Sequence, residues 1–434
     1  MWGAGLAARI ASRFRPCGSA IITAMKIIKS GWALLLAALV WVPASQAQAR
    51  DITVATWNLG WHMSQAEAAH WIKACGAPFA QGADGRWRPG AGGTSGWDLK
   101  WGRDSSVDWD IGTIAPCDVY QVQRRIVPVT ERAWRSRDAR IAAVLEQRVG
   151  ADVIAFPEVS GEQAVRDVLP GPAADWQVCS FSGYKVQRTA FAWRTALGAT
   201  GAKCTVAPAL SLPQRAYKEQ PRPGLMLELG LGGQRVRFLT VHLKSSCVSP
   251  LDSREPNGRG QLAGNEEACT ILQAQLEPLR RWYQDATQGA DAVVLLGDFN
   301  RNLFHDDALP AAPINGRSPS LMHVLQRETP SAWAPRVVPE ICPQAGLGSV
   351  CAVAKERILD RDEYSRLTRT DALGCRNPIG LDHIVLGGRI ESQPAEKVAL
   401  GPEGWTTATA SEEPSLAVSD HCPLRARLTL GAGR

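Results

Sequence analysis

Short apolar runs alternate with stretches of helical spacing along this chain, a pattern typical of mixed α/β proteins. Runs rich in Val, Ile and Leu predict strands that are buried on both faces. These runs lie at residues 52–58, 151–156, 176–181, 190–193, 225–231, 236–246, 292–296, 381–386 and 425–430. Apolar residues three and four apart predict helices over 137–149 and 270–283. Because no low-complexity linker or internal repeat interrupts them, we expect one elaborated domain over residues 50–434.

Polar residues directly follow the apolar run at 292–296. Gly297 ends the run, and Asp298 and Asn300 come next. Two polar side chains that are two residues apart at a strand end face the same way and can hold a water or a phosphate oxygen between them. The alternative is an ordinary Asx turn, because Gly, Asp and Asn are common turn residues.

Glu158 and Asn58 stand at the ends of two further predicted strands. A carboxylate such as that of Glu158 suits a hard divalent cation, and the carboxamide oxygen of Asn58 could bind a metal or a water. Glu158 could equally be a solvated turn residue. Asn58 could equally cap the helix-like stretch that follows it.

Asp and His residues flank the last two predicted strands. Asp382 opens the strand at 381–386, and the adjacent pair Asp420 and His421 precedes the strand at 425–430. An Asp–His couple supplies an oriented imidazole whose charge can change near neutral pH. The chain therefore carries the parts of a general acid–base site.

Basic residues follow another strand end. His242 and Lys244 share one face of the strand at 236–246 and could clamp a phosphate, although a lone His is more often structural. Arg254 and Arg259 lie in the next loop, where they bind substrate or are merely solvated.

The N-terminal residues 1–49 predict a leader rather than part of the fold. Two lysines precede the apolar segment 32–42, and small residues at alternate positions then lead to Ala47 and Ala49. This order is typical of a secretory signal peptide, cleaved after Ala47 or Ala49, and Met25 would then be the true start. The apolar segment is too short for a membrane span, so we expect no stable membrane anchor.

The leader changes the charge balance of the chain. The full sequence has 48 basic and 42 acidic residues and a net charge of +6, but five of the basic residues and none of the acidic ones lie in residues 1–49. The mature chain would carry 43 basic and 42 acidic residues, a net charge of +1. Overall charge therefore does not indicate polyanion binding, and any basic footprint must be local.

Ten of the eleven cysteines lie beyond the leader, and no Cys-x-x-Cys occurs. An even number in an exported chain favours disulfides over metal ligation, with partly free thiols as the alternative. The sequence does not fix connectivity, and we favour sequential pairing because each pair could close one loop. The expected pairs are Cys75–Cys117, Cys179–Cys204, Cys247–Cys269, Cys342–Cys351 and Cys375–Cys422.

An irregular, Trp-rich insertion is predicted at about residues 76–129. Trp87, Trp97, Trp101 and Trp109 are spaced through it. Such aromatic residues could stack bases or pack against lipid beside a site. The commoner alternative is that they form the small core of the insertion itself.

Six stretches in this order resemble the endonuclease/exonuclease/phosphatase family, the metal-dependent phosphohydrolases related to pancreatic-type deoxyribonuclease. They read TWNLGW, ADVIAFPEV, TVHLKS, LLGDFN, LDHIVL and SDHCPL. The resemblance implies an α/β fold, a four-layer sandwich of two packed mixed β-sheets flanked by helices. It also implies an active site at one rim of the sandwich.

The resemblance further implies a role for each matched residue. Glu158 resembles the principal ligand of Mg²⁺, or of Mn²⁺ or Ca²⁺, with Asn58 and Asp420 nearby. His421 resembles the catalytic histidine, which Asp382 would orient.

The remaining matched residues concern water and phosphate. Asp298 and Asn300 resemble the pair that orients or deprotonates the attacking water, and His242 resembles a second phosphate-binding group. Lys244, Arg254 and Arg259 are the candidate substrate-binding residues. Which group is the general base, and whether one metal or two act, stays open at this stage.

Two positions depart from the family pattern. Many relatives have Gln where this chain has Pro157, and nucleases of the deoxyribonuclease kind often have a basic residue where it has Ser160. The second departure removes a phosphate contact that duplex DNA would use.

We therefore expect an exported, metal-dependent phosphodiesterase that acts on nucleic acid, secreted or periplasmic, monomeric and without a protein partner. A phospholipase C-like or sphingomyelinase-like enzyme, or a phosphatase of small esters, is the alternative. A catalytically idle binding member is a third, which the full set of candidate residues disfavours.

Overall fold

The computed structural model describes residues 50–101, 106–251, 260–307, 309, 311–341, 373–375, 380–409 and 411–431. The predicted leader with its cleavage sites lies outside these ranges, as do Arg254, Arg259, Cys342 and Cys351. The described residues all belong to one compact unit. Within the described ranges, no helix has the length and apolar character needed to cross a membrane.

The described part of the chain contains nineteen strands and six α-helices. The strands are β1 (Arg50–Thr56), β2 (Pro78–Gln81), β3 (Trp87–Pro89), β4 (Thr94–Ser95), β5 (Gln121–Val122), β6 (Arg125–Ile126), β7 (Val153–Val159), β8 (Trp176–Cys179), β9 (Arg188–Arg194), β10 (Thr200–Ala207), β11 (Gly224–Leu231), β12 (Gln234–His242), β13 (Ala292–Asp298), β14 (Arg336–Val337), β15 (Glu340–Ile341), β16 (Asp382–Gly388), β17 (Ile390–Ser392), β18 (Ala395–Lys397) and β19 (Leu424–Leu430). The helices are α1 (Gln65–Gly76), α2 (Glu131–Val144), α3 (Glu162–Arg166), α4 (Glu267–Thr287), α5 (Leu303–Asp307) and α6 (Leu321–Gln326).

Two large mixed sheets form the centre of the molecule. The first has the order β15-β18-β19-β1-β7-β9-β8, with β17 also pairing with β19. The second has the order β10-β11-β12-β13-β16-β14. Parallel pairs, β1 with β7 and β12 with β13, lie beside antiparallel ones in both sheets.

Along each central strand, alternate side chains point inward to the core between the sheets and outward to a core beneath the flanking helices. Val54 of β1 and Val294 of β13 point into the core between the sheets, where they join Phe191 and Phe238. Their neighbours point outward: Ala55 packs with α2 and α3, and Val293 packs with α4 and α6. This is the period of two that a strand buried on both faces requires. The predicted four-layer sandwich is therefore confirmed.

Several element boundaries differ from the prediction. Helix α2 begins at Glu131, not at residue 137, because the side chain of Thr130 caps it by accepting from the backbone N–H of Ala133. It ends in a π-helical turn, Leu145–Val149, before Gly150 in left-handed geometry. Strand β12 ends at His242, so Lys244 lies beyond the strand.

The Trp-rich insertion builds a core of its own. Trp101 is buried, and Trp87, Trp97 and Trp109 are half-buried against the same cluster, which also includes Trp71 of α1. Short strands β2 to β6 give this segment two small sheets. The structure thus favours the packing alternative over exposed rings free to stack on bases.

Four of the predicted disulfides are present. They are Cys75–Cys117, Cys179–Cys204, Cys247–Cys269 and Cys375–Cys422. The fifth expected pair, Cys342–Cys351, lies outside the described residues. Sequential pairing is confirmed for the four pairs, and disulfides are compatible with an extracellular fate.

Candidate active site

Strand register places three reactive side chains in one row. β12 pairs His242 with Asp298 of β13, and β13 pairs Asp298 with Asp382 of β16. β12 and β13 end at this row and β16 begins there. Because paired residues present their side chains to the same face of a sheet, the row gathers an imidazole and two carboxylates at one edge.

Asp298 occupies the centre of the row and of the site. Its Oδ1 accepts from the backbone N–H of Asn300 at 2.8 Å. Its Oδ2 lies 3.5 Å from Nε2 of His242 and 3.9 Å from Nε2 of His421. Burial raises the pKa of Asp298, the charge of His421 opposes the rise, and the charges of Asp382 and Glu158 add to it. Asp298 can therefore take a proton near neutral pH.

His421 forms the expected couple with Asp382. Its Nδ1 donates to Oδ2 of Asp382 at 2.7 Å. Burial disfavours the imidazolium, but Asp382, Asp298 and Asp420 outweigh burial and raise the pKa of His421 above its ordinary value. The imidazole is therefore charged at neutral pH, with Nε2 directed at Asp298.

Glu158 reaches the site through a β-bulge. The pairing of β7 with β9 shifts register between Pro157 and Val159, and Glu158 between them has φ of 59°. Its Oε1 lies 3.3 Å from Nε2 of His242, and its Oε2 accepts from the backbone N–H of Trp61 at 3.2 Å. A left-handed non-glycine residue is costly, so its neighbours must fix this geometry.

The side-chain amide of Asn58 links the carboxylates of Glu158 and Asp298 by donating a hydrogen bond to each. The prediction was instead that its oxygen binds a metal or a water. Its Nδ2 donates to Oε1 of Glu158 at 3.2 Å and to Oδ2 of Asp298 at 3.0 Å. Its Oδ1 accepts from the backbone N–H of Gly60 at 2.9 Å. The oxygen that the sequence assigned to a metal is therefore turned into its own loop.

Asp420 and Asn300 complete the matched set at the margin of the row. Asp420 is half-buried, and its Oδ1 would lie 3.3 Å from a Cβ placed on Gly60, so it borders the Asn58 loop. Asn300 has φ of 51° and donates from Nδ2 to the carbonyl of Leu243 at 3.0 Å. Its backbone N–H is the one that holds Asp298.

Two overlapping groups of side chains could hold a metal ion. In one group the ligand atoms of Glu158, His242 and Asp298 lie within 4.8 Å of one another, and in the other those of Asp298, Asp382 and His421 do. Nδ1 of His242 and Oδ1 of Asp382 are buried without a hydrogen-bond partner among the described residues. The crowded carboxylates fit a hard divalent cation, since it would relieve their mutual repulsion. The predicted ligand Asp420 belongs to neither group.

Cations border the row on the side of His242. Burial lowers the pKa of His242 well below its ordinary value, and the positive charges of Arg222, His421 and Lys244 lower it further. Nζ of Lys244 donates to the carbonyl of Ser245 at 2.8 Å. Lys244 thus lies beside the site, whereas Arg254 and Arg259 fall outside the described residues and stay predictions.

Sequence reasoning missed Arg222 and Lys185. β11 begins at Gly224 and pairs Leu225 with Thr240, so Arg222 stands at the same sheet edge as His242. Nζ of the buried Lys185 donates to the carbonyls of Lys218 at 3.1 Å and Gln220 at 2.6 Å, which braces the segment before Arg222. The one available signal was that Arg222 stands just before a predicted strand that leads by a hairpin to His242.

Comparison with known proteins agrees with this geometry. Residues 55–421 match the model of the Endonuclease/Exonuclease/phosphatase family. No curated protein matches the chain significantly by sequence.

Solved structures align with this chain at low identity and with low TM-scores. An endonuclease/exonuclease/phosphatase family protein from Bacteroides thetaiotaomicron is 11% identical, with 88% of this chain and 96% of that chain covered and a TM-score of 0.40. A mannosyl-6-phosphatase from the same organism is 11% identical over 87% of this chain and 99% of that chain, with a TM-score of 0.40. A humanized D. rerio TDP2 is 14% identical over 68% and 91%, with a TM-score of 0.36.

Proposed function

Because the chain belongs to the endonuclease/exonuclease/phosphatase family, whose members hydrolyse phosphate esters, we propose that it is an exported, metal-dependent phosphodiesterase acting on nucleic acid. The observation that carries the proposal is the convergence of Glu158, His242, Asp298, Asp382 and His421 at one sheet edge. Mere binding of a ligand does not require a buried acid and a charged imidazole that face each other.

The two titrating groups divide the acid–base work in this proposal. Asp298, with its raised pKa, accepts the proton of the attacking water. His421, held charged and oriented by Asp382, stabilises charge on the phosphate oxygens and can give its proton to the leaving oxygen. The backbone N–H of Asn300 holds Oδ1 of Asp298, and Oδ2, which accepts from Asn58, faces the imidazoles of His242 and His421.

Glu158 and His242 are the residues that would hold a divalent cation beside Asp298, with Mg²⁺ the proposed ion and Mn²⁺ or Ca²⁺ as alternatives. When bound, the cation supplies positive charge for the developing negative charge on phosphate oxygens. The pKa of His242 is lowered well below its ordinary value, so its imidazole is neutral and able to act as a ligand.

Two features bear on the choice of substrate. Arg222 and Lys244 provide local positive charge beside His242, as a phosphodiester requires. Ser160 stands where deoxyribonuclease-like enzymes often have a basic residue; it is buried, and its hydroxyl donates to Glu67. We therefore propose single-stranded or short nucleic acids ahead of duplex DNA.

Membrane lipid is the less favoured substrate. Among the described residues the exposed large hydrophobic side chains are Val206, Tyr217, Val248, Leu251, Ile314 and Ile341, and only one of them is aromatic. The Trp-rich insertion, which could have supplied an aromatic lipid contact, packs its rings into its own core.

A hydrolysis panel tests the proposed function. The purified protein is incubated with single-stranded DNA, RNA, plasmid DNA, sphingomyelin, a sugar phosphate and bis-p-nitrophenyl phosphate, with Mg²⁺, Mn²⁺, Ca²⁺ or EDTA. We expect EDTA-sensitive cleavage of nucleic acid, and His421→Ala should lower turnover at least about a hundredfold. His70→Ala, which removes an exposed histidine of α1, is the matched control and should act like the wild type.

Three outcomes of the panel would contradict the proposal. Cleavage of sphingomyelin or sugar phosphate with intact nucleic acid would move the function to the lipid or small-ester class. Full activity in EDTA would refute the metal. Hydrolysis of nothing in the panel would refute a phosphohydrolase.

A further inference from the structure

One fully buried guanidinium lies where the loops of the candidate active site meet. Arg137 of α2 has no exposed surface, and its Cζ lies 5.0 Å from the ring centroid of Trp134 and 5.8 Å from that of Tyr120. A buried charge is tolerated only when its hydrogen-bonding groups are satisfied. The partners that satisfy Arg137 therefore show which parts of the fold depend on it.

Those partners are backbone carbonyls of two active-site loops. Nη2 donates to the carbonyl of Leu59 at 2.6 Å and to that of Val418 at 2.8 Å. Nε donates to the carbonyl of Ala417 at 2.9 Å. Leu59 directly follows Asn58, and Val418 precedes His421 by three residues. One side chain thus joins the loop of Asn58 to the loop of His421.

The third guanidinium nitrogen of Arg137, Nη1, is connected to the segment of Glu158 through His62. Nη1 lies 2.7 Å from Nδ1 of His62, and Nε2 of His62 lies 2.9 Å from the carbonyl of Ala164. Because a guanidinium has no acceptor, Nδ1 accepts, so His62 is neutral and Nε2 donates. Burial and the charge of Arg137 lower the pKa of His62 well below its ordinary value, in agreement with this tautomer.

The backbone of His62 brackets the bulge in β7. Its N–H donates to the carbonyl of Glu158 at 2.9 Å, and its carbonyl accepts from the N–H of Ser160 at 2.8 Å. The left-handed geometry of Glu158 is therefore held from both sides by a residue that Arg137 itself holds.

We propose that Arg137 is a positioning residue, whose planar guanidinium fixes the loops of Asn58 and His421 and, through His62, the bulge of Glu158 in one relative geometry. Lysine cannot replace it, because an ammonium is a point charge without the rigid fork that spans several carbonyls. Arg137 touches neither substrate nor metal in this scheme, so it sets the rate of the chemical step and not substrate affinity. The kinetic part of the inference rests on the proposed function.

Kinetics of Arg137→Lys test the positioning role. With bis-p-nitrophenyl phosphate we expect kcat to fall at least about tenfold while KM stays within about threefold, because a displacement of about 1 Å costs that much or more. Arg140→Lys is the matched control: Arg140 lies on the same helix and donates from Nη2 to the carbonyl of Leu416 at 2.6 Å, but it joins no two loops. It should leave both constants within about twofold.

Amide hydrogen exchange tests the positioning role of Arg137 without an assay of enzyme activity. In Arg137→Lys we expect backbone amides of residues 57–62, 156–161 and 416–421 to exchange at least about tenfold faster, with the peptides of α4 and β13 unchanged. Arg140→Lys should show this at most near residue 416. If the wild type hydrolyses no phosphate ester, the proposed function fails and this comparison alone decides the role of Arg137.

Two results would overturn the inference. One is a kcat equal to that of the wild type, and the other is exchange that is unchanged or that rises over the whole chain. If Arg137→Lys does not fold, His62→Phe is measured instead, since phenylalanine keeps the ring that stacks on Trp134, 5.7 Å away. The proposal then predicts faster exchange confined to residues 156–161, and no such change would refute it.

Discussion

Single residues of the candidate site are held in strained backbone geometry by the residues packed around them. Glu158 and Asn300 both have left-handed backbone geometry, at φ of 59° and 51°, although neither is glycine. Such geometry costs about 1–3 kcal/mol and persists only where the surroundings impose it. The backbone of His62 pairs with Glu158 and Ser160, and the carbonyl of Leu243 accepts from the side chain of Asn300, so distant residues hold both positions.

A buried carboxyl beside Arg137 gives a prediction for pH. Burial raises the pKa of Asp138 to about 7. The folded protein therefore holds a proton that the unfolded chain, with an ordinary carboxyl, has already lost. The free energy of unfolding falls as pH rises from about 4 to 7 and is level above that range. Asp138→Asn removes the ionisation, so its free energy of unfolding relative to that of the wild type should rise by on the order of 2–3 kcal/mol between pH 5 and pH 8.

Urea unfolding of both proteins at pH 5 and pH 8 measures that gain. The measurements at pH 5 are the control. Any effect of losing the 3.4 Å contact between Gln65 and Asp138 is present at both pH values and cancels in the comparison. A difference between the two proteins that does not depend on pH would show that Asp138 titrates as an ordinary carboxyl.

Residues of the candidate site could be predicted from the sequence only where a side chain of unusual chemistry stands at its position. Asp298, His421 and Glu158 could be predicted because acids and imidazoles at strand ends carry chemistry and match a family pattern. Arg137 could not, because an arginine in a helix is usually solvated and its carbonyl partners lie up to 281 residues away. The orientation of the Asn58 amide also depends on such distant contacts.

At the scale of elements, strand register sets the spacing of the candidate catalytic groups. His242, Asp298 and Asp382 are fixed by hydrogen bonds between β12, β13 and β16, so a slip of one residue would turn one of them to the other face. Strands such as these were predictable because they are buried on both faces. β10 was missed since most of its residues are exposed and lack an apolar run.

Disulfides that close different elements should differ in their effect on catalysis. Cys375–Cys422 ties down the residue next to His421, whereas Cys179–Cys204 joins β8 to β10. Replacing either pair by serines should cost about 2–4 kcal/mol of stability. Only loss of the Cys375–Cys422 pair should also lower turnover, by at least about tenfold.

Melting temperatures and turnover of the two double variants test this difference. The Cys179→Ser/Cys204→Ser protein is the control for loss of stability alone. Equal turnover in both variants, assayed well below their melting temperatures, would show that the tether next to His421 does not position it.

At the scale of the whole molecule, fold and family were predictable whereas the substrate was not. Six short stretches in order implied the sandwich, since each marks a buried strand end, and the structure confirms it. Substrate choice depends on loops and on local charge such as that of Arg222, which a net charge of +6 for the full sequence does not describe.

The proposed export gives a prediction for the whole chain. Expressed with residues 1–49 in a host that secretes proteins, the chain should be recovered outside the cytoplasm and should begin at residue 48 or 50. N-terminal sequencing of the recovered protein measures this. Recovery of the uncleaved chain from the cytoplasm, with thiols free by mass spectrometry, would contradict both export and the role of the disulfides.

The disulfide between Cys375 and Cys422 makes the activity of a molecule depend on whether the chain has reached an oxidising compartment. Ribosomes assemble the chain where thiols stay reduced, so the segment that carries His421 has no covalent tether there. We expect a newly made molecule to turn over at least about tenfold more slowly until this disulfide forms. If the substrate is nucleic acid, as proposed, the RNA and DNA of the producing cell would then be hydrolysed more slowly during synthesis.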